Sequence, residues 1–271
     1  MPIKTREDVD AVLGHFRAEP GGSVSLTDGL VRLSSELHVR SAMRNDADPL
    51  LAAVRRLTAA HSTLVTILER SEWQKGAAQS GHLDHTLWMF FSSCDVEHYF
   101  VALRSLFDEL AIVCGRASVR SDQCPASFNE LLSWCDNQHR SRRLLGPELF
   151  ALITDCRWFH GIRDTRDGII HYGALTLAIP SFETISFKVH AGHRSSVVPA
   201  ELMTNEHVAD FELFMAWTLG SLELTFHRLG QHLLQREFGG GTLEVFSSRY
   251  GYGVLLGYLR RLQERLPSAA S

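Results

Sequence analysis

The sequence predicts an all-α protein: an antiparallel helical bundle of four or more helices with an inserted β-hairpin. Three observations predict it. Val96, Phe100, Leu103, Phe107, Leu110 and Cys114 repeat at the spacing of one helix face. Phe211, Met215, Thr218, Leu222, Phe226, Leu229 and Leu233 share a face of a second long helix. Between them the period falls to two in "ALTLAIPSFETISFKVHAG" (174–192), rich in β-branched and aromatic residues and broken by Pro-Ser. Two strong amphipathic helices joined through shorter elements make a bundle, with the hairpin appended between its last two helices.

Each element follows in turn. Residues 1–75 form an N-terminal helical extension, clearest where Leu50, Val54, Leu57, His61, Leu64 and Leu68 keep a helical stripe. "KGAAQSGH" (75–82) is small and polar, which predicts a connection. The bundle proper spans 76–236. Its first long helix runs from Cys94 toward Gly115, a plausible stop. Pro125 opens the next helix and Pro147 another, since proline suits the first turn. Thr204 or Asn205 is placed to cap the helix that begins near Phe211. Gly239, Gly240 and Gly241 then form a hinge, and residues 237–271 are a tail that ends in a short helix.

Composition narrows the function classes. With 45% hydrophobic and 21% charged residues the chain is ordinary globular material. A net charge of −4 argues against bulk electrostatic binding of nucleic acid or anionic lipid, so any phosphate recognition is local. Lysine occurs only at Lys4, Lys75 and Lys188, and the remaining basic residues are arginines, whose planar fork suits phosphate. The five cysteines include no Cys-x-x-Cys pair, which fits neither a disulfide framework nor a zinc ribbon. No apolar leader opens the chain, and its most apolar run, 210–226, is interrupted by Glu212 and Glu223. A cytoplasmic protein with no membrane partner is expected. Histidines at "HLDH" (82–85) and "DVEH" (95–98) lack the Glu-x-x-His pairs of di-iron bundles, so neither a metal nor a cofactor is expected. Arg140, Arg142 and Arg143 read as a solvated loop.

The chemistry concentrates in "GIRDTRDGIIHYG" (161–173). On a single helix from Pro147, the stripe Leu149, Ile153, Cys156 continues through His160, Arg163, Asp167 and His171. Charges on that face must be paired, line a cleft, or meet a partner subunit. An intrahelical network of Arg163 with Asp167, and His171 near the helix C-terminus, is the bland account. "RDGIIH" (166–171) also resembles the Arg-x4–6-His motif of the HEPN superfamily, helical-bundle proteins that include many RNases. The spacing occurs four times in the chain, about as often as chance provides, but only Arg166 is followed by an acid within a charged interruption of an apolar face. The resemblance covers roughly residues 80–236.

What the resemblance implies is metal-independent RNA cleavage at a homodimer interface. His171 would move the proton of the RNA 2′-hydroxyl, which suits a group titrating near neutrality. Arg166 would hold the phosphate. Asp167 would orient the imidazole or an arginine. Arg163, His160 and Tyr172 are further substrate-binding candidates. A tyrosine directly after the histidine departs from the family subgroup that carries it one place later. A non-catalytic module binding RNA, nucleotide or protein is the alternative. Residues five apart on a straight helix point about 140° apart. Convergence of Arg166 and His171 therefore needs a loosened helix at Gly168 or a two-fold partner.

Overall fold

The computed structural model describes residues 2–18, 24–26, 29–44, 47–118, 121–137, 139–172, 177–188, 198–240, 247–249 and 252–269. These residues are mostly helical, with two small antiparallel sheets. The first helices are α1 (Arg6–Leu13) and α2 (Gly29–Arg44), followed by the long pair α3 (Pro49–Gln79) and α4 (His85–Ala117). Shorter helices come next: α5 (Phe128–Asn137), α6 (His139–Leu145), α7 (Pro147–Asp155) and α8 (Phe159–Tyr172). The last two are α9 (Phe211–Phe238) and α10 (Tyr252–Arg265).

Local chemistry sets the helix ends. Asp48 accepts from the Leu50 and Leu51 N–H groups ahead of Pro49, and Asp84 accepts from Leu87 N–H at 3.0 Å. α3 runs on to Gln79, into the connection expected at 75–82, and the turn into α4 uses Gly81 at φ 75°. Asp210, not Thr204 or Asn205, caps α9: its carboxylate accepts from Leu213 N–H at 2.9 Å. Residues 203–205 instead join a strand, because a backbone partner is present there. Gly239 ends α9 in the left-handed conformation at φ 69°.

α9 is the centre of the molecule. From Phe211 to Glu223 every residue is buried, and α1, α2, α3, α7 and α10 pack around it. A helix covered on several sides needs no polar face, so the one-faced stripe in its sequence understates its burial. Against α2 the backbones nearly touch: a Cβ on Gly230 would lie 1.9 Å from the Gly29 carbonyl carbon. The same hydrophobic core includes Ile3, Leu57, Phe107, Leu219 and Leu259. The boundaries expected at 75/76 and 236/237 fall inside α3 and α9, and all three segments contribute to that core.

The expected hairpin is present as β3 (Ala178–Pro180) and β4 (Ile185–Lys188). It widens into a four-stranded sheet, order β3-β4-β6-β5, with β5 (Met203–Asn205) and β6 (Val208–Asp210). The remainder of the expected hairpin segment, 174–176 and 189–192, lies outside the described residues. A second sheet joins β1 (Phe16–Ala18), β2 (Val24–Leu26) and β7 (Ser247–Arg249). β7 and α10 are the described parts of the tail beyond the glycine pair 239–240, and the tail does end in a helix.

The single helix expected from Pro147 is two helices. Cys156 N–H bonds Ile153 C=O, Phe159 N–H bonds Cys156 C=O, and His160 N–H bonds Arg157 C=O, so three-residue steps interrupt the α-helical ladder. The interruption lets two successive aromatics reach the core. Trp158 meets Phe107 at 5.1 Å and Trp217 at 5.2 Å, while Phe159 packs on Phe107 and Phe128 at 4.9 and 5.1 Å. Among the described residues no helix is long and apolar enough to cross a membrane. The "HRSRRLLG" segment is helical as α6, with Arg142 over the Phe150 ring at 5.8 Å.

Candidate functional site

The break before α8 rephases the charged segment. Phe159 and Ile162 are fully buried and Gly161 and Gly168 are buried beside them. Arg163, Asp167 and Arg166 fall at the edge of that stripe, with side chains 39%, 33% and 31% exposed. The buried stripe read from Leu149 toward His171 is not continuous: His160, Arg163 and Asp167 are only half-buried. Its charges are half-buried because the helix on which they lie starts anew at Phe159.

α8 is held by the Phe107–Phe128–Phe159 aromatic cluster, which also fixes α4 and the start of α5. A polar cleft of about 280 Å³ opens where these three helices meet. Arg163 Nη1 donates to Asn129 Oδ1 of α5 at 2.7 Å, and its Nε donates to Asp167 Oδ2 at 3.4 Å. Arg166 Nη1 donates to Asp167 Oδ1 at 3.0 Å. Arg104 of α4 pairs with Asp108 one turn on, and its guanidinium lies 5.1 Å above the Phe159 ring. Asp108 also accepts from Phe128 N–H at 3.0 Å, which ties α4 to the α5 N-terminus.

Three guanidiniums thus converge, and one carboxylate, Asp167, serves two of them. Burial raises the Asp167 carboxyl, but the hydrogen bonds and charges of Arg166 and Arg163 outweigh it and leave the group below its ordinary range. Arg166 Nε is buried and finds no acceptor among the described residues. Glu130 also lines the cleft, so the formal charge balances. An anion would therefore enter by displacing Asp167 from one of its arginines, not by bulk attraction.

Of the residues singled out by sequence, Arg163, Arg166 and Asp167 are brought together. His160 is half-buried in the first turn of α8 and is not part of the cleft lining. The α8 backbone runs through His171 and Tyr172, whose side chains lie outside the described ones. The helix continues without interruption across Gly168, so positions 166 and 171 fall about 140° apart around its axis. Sequence reading missed Arg104, Asp108 and Asn129. The first two carry a legible signal, opposite charges four apart on a strong helix. Asn129 carries none. Among the described residues no group of three His, Cys, Asp or Glu side chains is placed to hold a metal ion. All five cysteines are free, and burial pushes the Cys135 thiol up to about 12, well away from a nucleophile's range.

No protein-family model, no curated protein and no solved structure matches this chain.

Proposed function

We propose that the protein is an HEPN-like metal-independent endoribonuclease, with the α4–α5–α8 cleft holding an RNA phosphate. The observation that carries this reading is the shared carboxylate. Arg163 and Arg166 both lean on Asp167, and Arg166 retains a buried donor without an acceptor. Two guanidiniums released from one carboxylate offer parallel hydrogen bonds to phosphate oxygens and stabilise charge that builds on them. In the reaction, the RNA 2′-hydroxyl oxygen bonds to phosphorus and the bond to the 5′-oxygen breaks. His171 takes the hydroxyl proton, and the leaving 5′-oxygen gains one. The products are a 2′,3′-cyclic phosphate and a 5′-hydroxyl.

Because α8 is continuous between Arg166 and His171, the histidine acting on a given phosphate comes from a second copy, which makes the working unit a homodimer. The exposed apolar side chain of Ile170, one turn beyond Arg166 on α8, supports a subunit contact beside the cleft. The second reading is a non-catalytic HEPN-like module that binds RNA or nucleotide. The existing bonds of Arg163 and Arg166 to Asp167 and Asn129 favour it, since they tie both guanidiniums to protein partners without any ligand.

The test is cleavage of a diverse RNA pool by the purified chain in excess EDTA, beside His171→Ala and Arg166→Ala. Cleavage by wild type that both substitutions abolish, leaving cyclic phosphate ends, is the expected result. Absence of cleavage with RNA binding that only Arg166→Ala weakens would select the second reading. Absence of both activities would refute the phosphate site.

A further inference from the structure

A cleft larger than the α8 site lies elsewhere, between α3, α10 and the β3–β4 turn, and shares no lining residue with it. Its volume is about 510 Å³, within the range of small-molecule sites. One wall is a buried charge network. Lys75 Nζ, 7% exposed, donates to the fully buried Glu212 Oε1 at 2.7 Å and to Tyr258 Oη at 3.1 Å. Tyr258 Oη lies 2.6 Å from Glu212 Oε1 and also 2.6 Å from Glu72 Oε2. Phe182, stacked on the buried Trp88 yet 59% exposed, and Val254 supply an apolar side.

We propose that this cleft binds a small organic cation: an amine carried on a compact apolar body. Proton counting in the wall supports it. Burial and the two neighbouring glutamates push the Tyr258 phenol far above its ordinary value, so it keeps its single proton. That one proton faces two carboxylates. Glu212 has two further donors, Lys75 Nζ and Ile185 N–H at 3.2 Å, whereas among the described residues the further cation nearest Glu72 is Lys75 at 3.8 Å. Glu72 is 46% exposed at the mouth, a carboxylate open to an incoming donor. Across the lining and the network behind it, Lys75 and Arg261 oppose Glu72, Glu183 and Glu212, an excess of one negative charge. A cation fits that deficit; the Tyr258 ring already carries Arg261 and Lys75 at 5.0 and 5.7 Å, and the exposed Phe182 ring in the same lining is the face left for an ammonium group.

The glycines of α10 point the same way. Gly29, Gly220 and Gly230 are glycines because a Cβ would strike a neighbour within 2.5 Å. Gly253 and Gly257 line the cleft one turn apart, and a Cβ on either would meet nothing within 4 Å. Glycine inside a helix costs about 1 kcal/mol relative to alanine. Among the described residues no contact requires it here, and its effect is to leave the cleft open.

Isothermal titration of the full chain with phenethylamine, 2-phenylethanol and 3-phenylpropionate at neutral pH tests the proposal. The amine is expected to bind at least tenfold more tightly than the alcohol and the acid. Glu72→Gln raises its Kd at least tenfold. Gly257→Leu, which fills the cleft from a position with no intrachain contact, abolishes binding without lowering Tm. Equal binding of amine and alcohol, no heat from the amine in the millimolar range, or full binding by a folded Gly257→Leu would each overturn it.

Discussion

Replacing Gly230 with alanine puts a methyl group 1.9 Å from the Gly29 carbonyl carbon and 2.2 Å from its oxygen. Ordinary contact begins at 3.4 Å, so α2 and α9 must part by 3.4 − 1.9, or 1.5 Å. Both sides of the contact are helix backbone, and no side chain can rotate away. Separation loosens the packing of Leu30, Leu33, Leu229 and Leu233, all fully buried. Overpacking of a rigid site costs about 1–3 kcal/mol or somewhat more, against a gain of about 1 kcal/mol from alanine's helix propensity. The net expectation is a loss of about 2 kcal/mol, lowering Tm by about 4–8 °C for a protein of this size. Gly257→Ala is the control: the same change in a helix with nothing within 4 Å is expected to gain up to about 1 kcal/mol. Urea unfolding of both variants and wild type, at unchanged denaturant slope, measures the difference. If Gly230→Ala is as stable as wild type, the α2–α9 contact is not as close as described and the reasoning fails.

Four other predictions concern polar side chains. Asp167→Asn removes the carboxylate shared by Arg163 and Arg166 and should tighten inorganic phosphate binding at the α8 cleft severalfold, measured by competition with labelled RNA. Because the Asp167 carboxyl is held below its ordinary range, its pairing is intact at neutral pH and is lost only in acid, as pH falls through that depressed value; side-chain carboxyl NMR follows it. The stacked His15 and His227 rings lie 4.1 Å apart, and burial, with the neighbouring His227, pushes His15 down to about 4. The unfolded chain then takes up protons first, so stability should fall from about pH 6.5 toward pH 4, with a shallower slope in His15→Gln by urea titration at each pH. Asp210→Ala removes the buried α9 cap and should cost about 1–2 kcal/mol in the same assay.

The parts of the fold that were legible in sequence are those governed by local periodicity. The stripe from Val96 to Cys114 lies within α4, the stripe from Phe211 to Leu233 lies within α9, and the alternating segment contains β3 and β4. The break between α7 and α8 was not legible, because Cys156, Trp158 and Phe159 are compatible with an uninterrupted helix. Only the tertiary demand of two successive aromatic rings separates them. β1, β2 and β7 are three residues each, too short for a pattern, and exist through pairing. In the α8 cleft the intrahelical pair Arg163–Asp167 was readable from spacing, whereas Asn129 arrives from 34 residues away. The Lys75–Glu212–Tyr258 network was invisible for the same reason: its members are 137 and 183 residues apart from Lys75.

The contacts that join the two ends of the described chain bear on its synthesis. Arg6 Nε donates to Leu266 C=O across 260 positions, Arg6 N–H bonds Pro267 C=O, and α10 packs on α1 and α9. At about 5–20 residues per second, a ribosome needs roughly 13–52 s to cover that distance. Until α9 emerges, the apolar faces of α2 and α3 have no central helix to cover, and until α10 follows, α1 has only α9 to pack on. The native core is therefore completed only as the last of these segments leaves the ribosome, and the earlier helices must spend that interval shielded by chaperones or by transient pairing among themselves.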